Sequence, residues 1–253
     1  MNKQQHQQLI DRLKELHLPM FREYHQEFAQ TAIANELGYE EYLDELAQRE
    51  CEVRRANKIN RLVKVSRLPL EKTLQTFELN RLPLGIRRQV KVLCEGRFTD
   101  RRENILAFGK PGSGKTHLLC GICYELARQG KKVYFATCDL IVQELLRAKQ
   151  DLVLDKMLKK LGRFEVLMID DFGYVKQNRE EMEVLFTLLA HRYERCSVLI
   201  TSNLPFSKWE MIFKDPMTTA AAIDRLVHHR VILELNVASY RAEQARKRKI
   251  QDK

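Results

Sequence analysis

Apolar positions along the chain follow two regimes. Over the first 75 or so residues they recur at helical spacing, as Leu9, Leu13 and Leu16 and then as Tyr42, Leu43 and Leu46. Pro19 and Gly38 punctuate this pattern, and the spacing predicts a small all-α N-terminal domain over residues 1–75. From about Phe77 short apolar or β-branched runs take over, at 105–108, 133–136, 166–169, 198–201 and 231–235. Stretches of helical periodicity separate them, notably 116–129 and 180–193. The long interval 138–165 has room for two short helices, 139–149 and 151–160. Strands alternating with helices predict an α/β domain over residues 76–253, a five-stranded parallel sheet covered on both faces.

A glycine-rich segment falls between the first of these strands and the helix after it. Residues 109–116 read Gly-Lys-Pro-Gly-Ser-Gly-Lys-Thr, a full match to GxxxxGK[ST] in the strand–loop–helix context the motif requires. Glycines let the backbone curl so that its N–H groups face phosphates, and the helix N-terminus adds positive partial charge. Gly109, Pro111, Gly112, Ser113, Gly114, Lys115, Thr116 and His117 are therefore the candidate ATP-binding residues. Lys115 would place its ammonium near the β and γ phosphates, and Thr116 would offer its hydroxyl to Mg2+.

Hydrolysis asks for more than binding. The apolar run 166–169 ends in Asp170 and Asp171. Asp170 is the candidate second magnesium ligand, and Asp171 the group that orients or deprotonates the attacking water. The run 198–201 leads into Ser202 and Asn203. Asn203 is the candidate for holding the same water, with a turn asparagine ahead of Pro205 as the alternative. Arg225, just before the last strand, is placed to reach the nucleotide of a neighbouring subunit, which would make the active form a homo-oligomer with composite sites. An ion pair with Asp224 is the alternative, and Arg192 is the reserve candidate. Asp171, Phe172 and Gly173 spell the DFG triplet of protein kinases, but the lysine strand and HRD loop that accompany it there are missing.

Charge adds a second partner. Lys and Arg number 44 against 34 Asp and Glu, a net charge of +10 that favours an anion, most often nucleic acid. Between Arg49 and Lys72 there are eight basic and three acidic residues. Arg54, Arg55, Lys58, Arg61 and Lys64 make a candidate DNA-binding stripe there, or else a solvated helix face. Lys149, Lys156, Lys159 and Lys160 carry the same two readings. No apolar run approaches the ~18 residues of a membrane span, and the polar N-terminus carries no signal-peptide segment, so a cytoplasmic protein without membrane contact is expected. Cys120 and Cys123 form a CxxC inside a helix with no second ligand pair, and read as packing residues.

The ordered set of phosphate loop, apolar strand with two aspartates, Thr-Ser-Asn strand tip and late arginine resembles the AAA+ ATPases. The fuller string resembles one group. Residues 170–174 (DDFGY), 192–194 (RYE), 201–206 (TSNLPF), Trp209, 224–226 (DRL) and 239–241 (SYR) together resemble IstB, the helper ATPase of bacterial insertion sequences, a relative of the helicase loader DnaC. The resemblance implies an AAA+ P-loop core. It also implies a transposition helper that assembles on target duplex DNA with ATP, recruits or stimulates its transposase, and turns the complex over by hydrolysis. A DnaC-like replicative helicase loader is the alternative. Only 18 residues follow Leu235, too few for the usual helical lid, and Arg241 is the one candidate for the arginine that a lid supplies.

Overall fold

The computed structural model describes residues 2–173, 178–209, 216–240 and 242–243. The chain divides into two compact units, Met1–Arg61 and Leu62–Lys253, ahead of the boundary expected near residue 75.

The first unit is helical. Helix α1 (Lys3–Glu15) starts with a capping box in which the Asn2 side chain accepts from the Gln5 amide at 2.8 Å and the Gln5 side chain accepts from the Asn2 amide at 3.1 Å. Helix α2 (Pro19–Ala34) opens on proline, whose missing N–H costs nothing at that position. The buried carboxylate of Glu50 then takes the next amide, that of Met20, at 2.9 Å. Helix α3 (Tyr39–Ser66) is 28 residues long and runs across the division between the units. Of the apolar positions that predicted these helices, Leu13 and Leu46 are buried, whereas Leu16 and Leu43 are exposed. The helix expected to continue to residue 75 stops at Ser66. Arg67 adopts a left-handed conformation at φ +59°, the Ser66 hydroxyl accepts from the Leu68 amide at 3.2 Å, and Pro69 follows.

The second unit is the predicted α/β domain. After a 3-10 turn at Leu79–Arg81 come α4 (Leu84–Cys94), α5 (Arg97–Asp100), β1 (Asn104–Phe108), α6 (Lys115–Arg128) and β2 (Val133–Thr137). Next are α7 (Cys138–Gln150), α8 (Leu154–Leu161), β3 (Val166–Phe172), α9 (Arg179–Arg192) and β4 (Ser197–Ser202). A 3-10 turn at Phe206–Lys208 precedes α10 (Pro216–Val227) and β5 (Arg230–Glu234). The five strands are all parallel, in the order β2-β3-β4-β1-β5.

Alternation along the strands sorts the core into two layers. Leu106, Leu167, Ile169, Val198 and Ile200 pack with Ile141, Leu145, Leu185, Leu188 and Leu226 from α7, α9 and α10. Ile105, Ala107, Val166, Met168 and Leu199 pack with Val90, Leu93, Leu118, Ile122 and Leu126 from α4 and α6. Cys120 and Cys123 are fully buried in this second layer, each with its sulfur 3.9 Å from that of Met168, and burial pushes the Cys120 thiol up to about 12. They are packing residues, as their spacing implied. Among the described residues no helix is long and apolar enough to cross a membrane.

Arg192 is part of this frame. It is 1% exposed, at the end of α9, and donates to the carbonyls of Leu161, Phe164 and Ser197 at 3.0, 3.0 and 2.9 Å. Burial lowers its pKa to about 10, so it stays charged at neutral pH. It ties α8 and its exit loop to the start of β4. Replacing it by alanine removes the side-chain donor from the carbonyls of Phe164 and Ser197 and opens a cavity. Arg192→Ala is expected to destabilise the second unit by roughly 3 kcal/mol or more, read as a lower urea midpoint with an unchanged slope.

Candidate functional site

Strand β1 lies between β4 and β5, so its C-terminal end opens at the sheet edge where the tips of β3 and β4 also finish. The segment 109–114 turns there from β1 into α6. Gly109, Gly112 and Gly114 have φ of +155°, +79° and +93°. At Gly112 and Gly114 a side chain would be strained whatever the space. Space is also short, since a Cβ at Gly114 would lie 2.8 Å from the Phe77 ring and one at Gly112 would lie 2.2 Å from the Ser239 hydroxyl. Lys115, 5% exposed, reaches back across the loop. Its ammonium donates to the carbonyls of Gly109 at 2.8 Å and Lys110 at 3.1 Å, and to Oδ1 of Asn203 at 2.6 Å.

The strand tips supply the acidic side. Asp170 is buried, and its Oδ1 accepts from the hydroxyls of Thr116 at 2.8 Å and Thr201 at 2.5 Å. The pairing of β3 with β4 shifts between Ile169 and Phe172, and Asp171 stands there at φ +55° with its amide donating to the Thr201 hydroxyl at 2.9 Å. This irregularity turns consecutive aspartates to different surroundings, Asp170 buried against Thr116 and Asp171 exposed. Trp209, fully buried, packs on Phe172 and Phe108 at ring separations of 4.7 and 6.3 Å and so anchors the same strand ends.

Two further segments meet the loop that sequence patterning did not single out. Upstream, the His117 ring lies 2.9 Å from the Thr73 carbonyl and 3.0 Å from the Thr76 hydroxyl, and edge-on to Phe77 at 5.2 Å. Phe77, Glu78, Leu79, Asn80 and Arg81 line a cavity of about 550 Å3. Downstream, the chain leaving β5 passes back over the loop, with the Tyr240 amide donating to the Gly112 carbonyl at 3.0 Å. Arg81 holds this return segment. It donates to Ala238 O at 3.3 Å and to the Glu243 carboxylate at 2.7 Å, and its guanidinium lies 5.0 Å from the Tyr240 ring centroid. No periodicity marks such a strap. Thr201 is visible in the sequence as part of a polar strand tip, but its bonds to the two aspartates across the sheet are not.

Thus Lys115, Thr116, Asp170 and Asn203 come together, with Gly109, Pro111, Gly112, Ser113 and Gly114 forming the loop around the ammonium. Asp171 sits beside them on Thr201. Arg225 is elsewhere. It stacks on Phe186 of α9 at 4.8 Å and donates to Ala221 O at 3.0 Å, with no ion pair to Asp224 among the described residues. Arg192 is committed to backbone carbonyls inside the fold, and Arg241 lies outside the described residues. In the basic stripe, Arg55, Lys58, Arg61 and Lys64 are exposed, whereas Arg54 pairs with Glu50 at 2.6 Å and bonds the His17 carbonyl. Arg54, Lys58 and Arg61 share a groove of about 640 Å3 with Lys14, His17 and Arg22. On α7 and α8, Lys149 pairs with Glu183 and Lys159 with Asp155, while Lys156 and Lys160 are exposed.

Residues 11–248 match the family of IstB-like ATP binding proteins. The chain belongs to this family. An insertion-sequence ATP-binding protein of Geobacillus stearothermophilus is 38% identical over 231 residues, 91% of this chain and 92% of that protein. One from Pseudomonas aeruginosa is 37% identical over 240 residues, 94% of this chain and 89% of that protein. The fold is that of AAA+ P-loop proteins. The helicase loader DnaC superposes with a TM-score of 0.56 at 16% identity, over 65% of this chain and 97% of that one. For this IstB-like chain the cradle makes a direct demand on Gly112. Gly112→Ala adds about 1–2 kcal/mol of left-handed strain and a collision with Ser239. It is expected to weaken nucleotide affinity at least about tenfold, measured by titration with a fluorescent ATP analogue.

Proposed function

We propose that this chain is an ATP- and magnesium-dependent transposition helper that assembles as a homo-oligomer on target duplex DNA, recruits or stimulates its transposase, and hydrolyses ATP to turn the complex over. The observation that carries the reading is the convergence of Lys115, Thr116, Asp170 and Asn203 on one glycine-bound loop. The insertion-sequence relatives supply the transposition context.

The residues present fit the nucleotide. Ser113 Oγ is buried without a hydrogen-bond partner, and the cradle has no room for side chains at Gly112 and Gly114. A threonine hydroxyl and a carboxylate already 2.8 Å apart are the oxygen donors that magnesium prefers. In this reading the loop amides and Lys115 hold the β and γ phosphates, and Thr116 and Asp170 hold Mg2+, which neutralises charge on the transferred phosphoryl group. Phe77 and Arg81 line the cavity that would take the base, with His117 edge-on behind Phe77. Asp171 takes the proton of the attacking water or orients it, and Asn203, pinned on Lys115, positions the same water. Arg225 acts on the nucleotide of the neighbouring subunit. What supports this is its place just before β5, and that Arg192, the reserve, is spent on the fold. Lys58 and Arg61, in the groove with Lys14 and Arg22, and the neighbouring Arg55 and Lys64, hold DNA phosphates, with Lys156, Lys159 and Lys160 as a second contact.

Two measurements test the assignment. Asp171→Asn is expected to keep ATP binding and abolish turnover. Arg225→Ala is expected to lose hydrolysis by about 10³-fold or more with monomer nucleotide affinity nearly intact. Unchanged turnover in either variant removes that residue from its role. With a slowly hydrolysed ATP analogue, the protein is expected to form large assemblies on duplex DNA of unrelated sequence, visible by electron microscopy. Assembly should weaken steeply with salt as counterions are released. Equal or better assembly on single strands would favour a helicase loader instead.

A further inference from the structure

At the end of the sheet opposite the phosphate loop, Glu194, His228 and His229 come together on the surface of the second unit. Each offers one ligand atom, and the three atoms lie within 4.8 Å of one another. Helix α9 ends at Arg192 and α10 at Val227, so the C-termini of both helices, which carry negative partial charge, adjoin the cluster.

The backbone under these side chains is fixed. Glu194 is left-handed at φ +55°, and Arg102 donates to its carbonyl at 2.5 Å. The His228 amide donates to Asp224 O at 2.9 Å, and the His229 carbonyl accepts from the first amide of β1, that of Asn104, at 2.8 Å. The two imidazoles are 4.2 Å apart between centroids. The Tyr193 hydroxyl lies 3.3 Å from Nδ1 of His228, a contact that orients the ring and leaves Nε2 as its other nitrogen. Outer contacts of this kind orient metal-bound histidines. None of these residues takes part in the nucleotide site.

We infer that Glu194, His228 and His229 form a binding site for a zinc-class divalent transition ion. Two imidazoles and a carboxylate are the donors such ions take, and magnesium, which prefers oxygen, does not compete for them. Three protein ligands leave a fourth position for water or for a group from another chain. Donors on a tetrahedral zinc stand about 3.3 Å apart, so the three side chains close inward by small rotations that their exposure permits.

The test uses the full chain after treatment with a chelator. Calorimetric titration with zinc should show one ion per chain, and zinc should raise the melting temperature. Cobalt in the same site should give visible d–d bands without the near-ultraviolet thiolate band that a cysteine ligand such as the exposed Cys51 would produce. The double variant H228A/H229A should bind zinc at least tenfold more weakly and lose the thermal shift. Its metal-free melting temperature should match the wild type, because both rings are exposed. The inference is overturned if the wild type takes up no zinc, if the double variant binds it equally well, or if the cobalt spectrum shows thiolate ligation.

Discussion

A buried ammonium must be solvated by whatever replaces water, and Lys115 sets that condition for the whole site. Its three described acceptors come from two places: the carbonyls of Gly109 and Lys110 in its own loop, and the side chain of Asn203 beyond β4. The loop must therefore curl until its carbonyls meet the lysine, which turns its amides the other way. The tip of β4 must also stand beside it. Strand order satisfies the second demand, because β1 and β4 are direct neighbours in register through Phe108 and Ser202.

The same adjacency organises the acidic side. Thr201 sits in a buried strand, where its hydroxyl needs partners, and it finds both in the tip of β3: it donates to Asp170 and accepts from the amide of Asp171. One hydroxyl thus fixes the irregularity that separates the two aspartates. Trp209 and Phe172 seal the apolar side of that bend, so the polar triad is backed by rigid packing.

The described chain after β5 folds back onto the loop. Leu235 comes so close to Gly109 that a Cβ there would lie 2.6 Å from its carbonyl oxygen, Tyr240 bonds Gly112, and Arg81 clamps the strap through a carbonyl, a carboxylate and an aromatic face. The phosphate loop is thereby packed by residues 73–81 and by residues 235–240. Movement of either segment would be felt by the glycines between them.

The strands, the helices after them and the phosphate loop were legible in the sequence because each rests on a local signal: a period of two or of 3.6, a glycine spacing, a run of apolar residues ending in aspartates. Asp170 and Thr116 could be paired in advance for the same reason, as could the buried role of Cys120 and Cys123. Tertiary structure alone decided the rest, since the partners are far apart along the chain. It assigned Arg192 to the frame, where carbonyls from the α8 exit and the start of β4 accept from its two terminal nitrogens. It bonded Arg54 to the carbonyl of His17 and brought Arg81 to a strap about 160 residues later. Periodicity reports which face of an element is buried, but which polar groups meet there depends on how the strands are ordered, and that order is a property of the assembled sheet.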